Sequence, residues 1–114
     1  MKTHSMVLVL AILFMQQIFA HAQNANDTFV VSFISIGAGT DYKSKARLDL
    51  YVKEFEQTEQ VQLNVTVKHW GKEGETDYTY DLKNLSKKQC KAFTENIEAM
   101  FLKNNLVKIV HGKP

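Results

Sequence analysis

Residues 61–82 read VQLNVTVKHWGKEGETDYTYDL, and the alternation within this stretch decides the fold. Val61, Leu63, Val65, Val67 and His69 fall on one parity, and Gln62, Asn64, Thr66, Lys68 and Trp70 on the other. Successive side chains of a strand point to opposite faces, so this pattern predicts a strand with one dry side. Gly71-Lys72-Glu73-Gly74 turns the chain. Residues 75–82 alternate again, with Tyr78, Tyr80 and Leu82 inward and Glu75, Asp77, Thr79 and Asp81 outward. Pairing the two strands through a four-residue loop sets Trp70 against Glu75, Lys68 against Asp77 and Thr66 against Thr79. On the other face Val67 meets Tyr78 and Val65 meets Tyr80. Apolar falls on apolar and Lys on Asp, and a slip of one residue would lose both matches.

Working outward, residues 28–36 (TFVVSFISI) are β-branched and aromatic on both parities, which fits a central strand. Gly37-Ala38-Gly39 ends it. Thr40 or Asp41 then caps a helix running to about Glu56, with Leu48, Tyr51, Val52 and Phe55 on one face and Arg47, Lys53, Glu54 and Glu56 on the wet side. Downstream of the hairpin, Ser86-Lys87-Lys88-Gln89 has the spacing of a capping box, flanked by Leu85 and Cys90 as a hydrophobic staple. Cys90, Phe93, Ile97, Met100 and Phe101 follow at helical spacing. Asn104-Asn105 ends this helix, and residues 106–110 form a last short strand. The order β-α-β-β-α-β, with right-handed crossovers around a hairpin, predicts an α+β fold: a ferredoxin-like sandwich. Its four-stranded antiparallel sheet has the strand order 4-1-3-2, with two helices on one face and the other face open.

The first 22 residues carry a different message. Lys2 and His4 precede ten unbroken apolar residues, Met6 to Met15, and Ala20-His21-Ala22 supplies a small-x-small cut site. These are the parts of a cleavable signal peptide. The apolar run falls short of the roughly 20 residues that span a membrane. The expected organisation is a leader over residues 1–22, a disordered lead-in over 23–27 and one α+β domain over 28–114. The mature protein is expected in the periplasm or outside the cell, with no membrane attachment after cleavage. Its 13 basic and 12 acidic residues give no field to hold nucleic acid or an anionic membrane. Cys90 is the single cysteine, so the domain is held by packing rather than by an internal disulfide.

No catalytic constellation emerges. Gly37-Ala38-Gly39-Thr40-Asp41 joins a strand to a helix, where phosphate loops occur. It lacks the third glycine of a dinucleotide fingerprint and the lysine of a P-loop, and reads as a tight turn followed by an N-cap. His69 and His111 fall at opposite sheet edges, about 14 Å apart at three strand spacings, too far to share a metal. No metal or cofactor is expected. Cys90, on the apolar helix face, reads as a buried structural thiol. Glu75, Asp77 and Asp81 share one strand face, but Lys68 opposes one of them and the face reads as solvated.

Two groups remain as candidate binding residues. Trp70 lies on the polar parity at the hairpin tip among Lys72, Glu73 and Glu75, where a tryptophan can stack on a ligand or anchor a protein contact. The first strand is apolar on both parities, so either Phe33 or Ile34 is expected to face outward. Residues 32–37 (SFISIG) with Gly39 and Asp41, and residues 70–75 (WGKEGE) with Asp77-Tyr78, resemble a group of short exported bacterial proteins of unassigned function of the Bacteroidota type. The resemblance implies a bacterial cell envelope and carries no activity.

The functional expectation is a non-catalytic exported domain that binds or self-associates through an apolar part of the open sheet face, over the first and last strands. Its partner would be a second copy or another envelope protein. Two other readings stand beside it. One is an envelope enzyme or small-ligand binder using the Trp70 hairpin and the acidic strand. The other is an inhibitor or adaptor of another exported protein.

Overall fold

The computed structural model describes residues 28–112; the leader and lead-in expected over residues 1–27 lie outside them. The elements are β1 (Thr28–Phe33), α1 (Tyr42–Glu59), β2 (Asn64–Trp70), β3 (Glu75–Asp81), α2 (Lys87–Met100) and β4 (Val107–His111). The four strands form one antiparallel sheet in the order β2-β3-β1-β4, the α+β ferredoxin-like arrangement. The hairpin register is Trp70 on Glu75, Lys68 on Asp77, Val67 on Tyr78 and Val65 on Tyr80. Pleat parity excludes a slip of one residue.

Phe29, Val31 and Phe33 of β1 point to the helical side and are wholly buried. They pack with Leu48 and Phe55 of α1 and with Phe93 and Ile97 of α2. Phe93 is the hub of this layer. Its ring stacks on Tyr51 at 5.9 Å, meets Phe29 and Tyr80 edge-on at 6.0 and 5.3 Å, and lies 5.0 Å from Phe55. Edge-to-face and offset rings add specificity to the area they bury.

The helices begin where side chains can satisfy their unpaired N–H groups. Asp41 caps α1 by accepting from the Ser44 amide, and Ser86 and Gln89 complete the reciprocal capping box of α2. Helix α1 runs three residues beyond the expected Glu56. Residues 57–59 contain no breaker, and Gln60 instead ends the helix by taking φ +53, its N–H bonded to the Glu56 carbonyl.

Strand β1 is shorter than the expected 28–36. The Ile34 N–H still reaches the Leu106 carbonyl at 2.9 Å. Gly37 and Gly39 then take φ +114 and +87, and Ile36 is left 80% exposed. The last strand is displaced by one residue from the expected 106–110. The Asn104 side chain accepts the Leu106 N–H and holds that residue in the turn.

Candidate functional site

The hairpin tip and the β1–α1 loop are stitched together. Ser35 Oγ accepts the N–H groups of Gly37 and Gly39 at 3.1 and 3.0 Å and donates its own proton to the Glu73 carboxylate. That carboxylate also accepts the Gly39 N–H at 3.3 Å. Of the glycine-loop amides that could have faced an anion, that of Gly39 already meets an acid of the same chain and that of Gly37 is held by Ser35 Oγ. The Ser35 hydroxyl, with help from the Gly39 amide, holds the Glu73 carboxyl below its ordinary range. From the other side, Lys45 Nζ donates to Thr40 Oγ1 and to the Gly74 carbonyl, each at 2.9 Å. It lies 5.3 Å from the Tyr42 ring centroid and 5.9 Å from that of Phe33.

These contacts place the four hairpin residues singled out in the sequence. Glu73 is a latch on the loop. Glu75 is buried, with its carboxylate accepting the Glu73 N–H at 3.1 Å, and braces the turn from inside. Lys72 is exposed at the tip. Trp70 is 42% exposed, and its indole N–H donates to Asp77 at 2.9 Å. The ring is thus held along the sheet rather than projecting from it.

The open face is polar across its middle. Lys68, Asp77, Ser32 and Lys108 form one continuous row across all four strands. The next row is Thr66, Thr79, Val30 and Val110. Of the two first-strand candidates Ile34, just past the end of β1, is half-buried. Phe33 is not on the surface. It is wholly buried, with its ring edge against Tyr78 at 5.5 Å and Phe101 at 6.0 Å. Its parity is that of Phe29 and Val31, the side that the helices cover. Ser32 and Lys108 lie between Ile34 and the neighbours Val30 and Val110, of which Val30 is buried and Val110 exposed.

Val110 and Trp70 stay exposed on this face, and a second exposed apolar pair lies on the helical side. Val65 and Val67 of β2 point to the helical side, yet each is 45% exposed. The dry side expected for this strand is left uncovered, because every residue of β2 is exposed. The reason is on α1, whose flank toward β2 carries Asp49, Lys53 and Glu56 with Val52 as its one apolar residue. Charged groups resist burial, so the helix does not close onto the strand. Between them runs a groove of about 310 Å³, floored by Val65, Val67, Tyr78 and Tyr80. Burial, aided by the Asp49 carboxylate, pushes the Tyr78 and Tyr80 phenols up, so both stay neutral donors. β2 is also an edge strand, paired on one side by β3. The sequence held the signal for this groove in the wet-side Lys53 and Glu56 of α1, but not which strand they would overhang.

The remaining titratable groups are spread out. His69 bonds Thr76 at 3.2 Å, and His111 pairs with Glu98 and sits edge-on to Phe29. Among the described residues no three His, Cys, Asp or Glu side chains converge as metal ligands. Cys90 is half-buried rather than fully buried. Its Sγ lies 3.7 Å from the Leu82 carbonyl. It lines a pocket of about 210 Å³ that His111 also reaches from β4, a neighbour that sequence distance concealed. No helix of the described residues is long and apolar enough to cross a membrane. No family model matches the chain, and no curated protein and no solved structure matches it.

Proposed function

We propose that this chain is an exported, non-catalytic binding domain that accepts an extended protein segment along the free edge of β2. The observation that carries the reading is the pair Val65 and Val67, each 45% exposed on an unbroken edge strand beside an apolar-floored groove. An edge strand offers a row of backbone donors and acceptors, and pockets beside it select alternate side chains of the added strand. Natural edges are usually blunted by proline, a bulge, an inward-pointing charge or a charged side chain such as lysine, of which β2 carries one, Lys68. β2 has no proline, keeps seven consecutive pairs with β3, and directs Lys68 to the opposite face from the valines. Export rests on the leader pattern of residues 1–22, and the resemblance to short exported bacterial proteins agrees with it.

The sheet edge takes the place of the open face in this reading, since the polar row from Lys68 to Lys108 crosses that face. Trp70 is the chain's single tryptophan and ends β2, so its emission reports on the edge. A synthetic peptide with valines at alternate positions, titrated into dilute protein, is expected to change Trp70 emission saturably. Val67→Lys should abolish the change. No change, or an equal change in the Val67→Lys protein, would contradict the reading.

A further inference from the structure

Resting on that edge-binding reading, we infer that the segment seated on β2 is the β2 strand of a second copy, paired antiparallel about a two-fold axis at Thr66. Two-fold closure is the commonest way for like chains to associate, and it requires a surface that complements itself. The sequence of β2, Asn64-Val65-Thr66-Val67-Lys68-His69-Trp70, meets this requirement. Centred on Thr66, an antiparallel pair sets Thr66 against Thr66, Val65 against Val67 of the other copy, and Asn64 against Lys68.

On the helical side the four valines of two copies become one apolar band between the two grooves. β-Branched residues in direct cross-strand contact stabilise such pairs. On the open side threonine, asparagine and lysine meet with no like charges opposed. The groove rim does not oppose the pairing either, since Asp49, Lys53 and Glu56 carry both signs. With 13 basic and 12 acidic residues beyond the leader, the chains do not repel at long range. A net charge near zero favours association. The product is one continuous eight-stranded sheet, whose remaining edges are the five-residue β4 strands of the two copies.

The test is the solution mass of the chain as isolated from expressing cells, measured by sedimentation across the micromolar range. Twice the chain mass is expected at the upper end, falling toward a single mass on dilution. Val67→Lys should give the single mass throughout. Val67 is already exposed, and an unchanged circular dichroism melt would exclude misfolding. Val110→Lys, on the open face of β4, should leave the doubled mass in place.

Register is read by cross-linking. Opposed residues lie about 5 Å apart at Cβ, so Thr66→Cys should give a covalent dimer under mild oxidant. Asn64→Cys and the parent chain, with Cys90 in both, should not. A single mass at all concentrations overturns the self-pairing. If the alternating-valine peptide still changes Trp70 emission in that monomer, edge binding stands without it. A doubled mass that Val67→Lys leaves intact and Thr66→Cys does not cross-link overturns the self-pairing, and an unchanged Trp70 emission with the peptide overturns the edge reading as well.

Discussion

Asp41 joins the start of α1 to the turn before β4 through one carboxylate. It caps α1 by accepting the Ser44 amide at 3.1 Å and the Ser44 hydroxyl at 2.7 Å, and it accepts Asn104 Nδ2 at 2.9 Å from the turn before β4. The Ser44 hydroxyl, then Asn104, then the backbone amides favour the ionised form and hold its carboxyl below the ordinary value of 3.8. A carboxyl lowered in the folded state stays charged further down the pH scale than in the unfolded chain. Its stabilisation is therefore complete above the ordinary carboxylate range and is lost as pH falls through the lowered value. Asp41→Asn should flatten the loss of stability between neutral and acidic pH relative to the parent protein. Urea melts at a series of pH values read this out, and parallel curves for the two proteins would show that Asp41 adds nothing to the acid response. At neutral pH, Asp41→Ala should cost about 1 kcal/mol, the usual worth of an N-cap.

At the scale of the element, the β2–β3 hairpin shows how a turn is specified. Gly71 has φ +71, and a Cβ placed on it would lie 2.0 Å from a Glu75 carboxylate oxygen. Gly71→Ala thus meets both backbone strain and a side chain that is itself buried. A loss of about 1–3 kcal/mol is expected from the left-handed backbone alone, measured by chemical denaturation. An alanine variant as stable as the parent would contradict both the backbone cost and the bracing role of Glu75. Replacing Glu75 as well should recover part of the loss, because it removes the collision and leaves the backbone term.

The hairpin register is legible in the sequence because side-chain parity and the Lys68–Asp77 pair constrain it locally. The α2 cap is legible for the same reason, since Ser86 and Gln89 lie within one turn. What ends β1 at Phe33 is not. Ser35 is held by Glu73 from 38 residues away, and no local pattern announces that contact. The face of Phe33 is similarly hidden, because a strand apolar on both parities does not state which parity the helices cover. Nor can sequence place His111 against the Cys90 pocket, a meeting made by strand order.

Across the whole molecule, the core is centred on β1 and its aromatic layer around Phe93, and coverage thins toward β2. That asymmetry leaves Val65 and Val67 exposed at the sheet edge beside the groove, and the proposed edge binding rests on it. A partner of the proposed kind would supply backbone donors and acceptors for alternate residues of β2, and apolar side chains opposite Val65 and Val67. The most direct measurement is amide hydrogen exchange along β2 as the protein is diluted. In an antiparallel strand alternate amides bond to one neighbour and the rest point away. The outward amides of residues 64–70 should be protected at high concentration and become fast on dilution, while those bonded to β3 stay slow. Outward amides that exchange fast at every concentration would contradict an edge filled by its own copy.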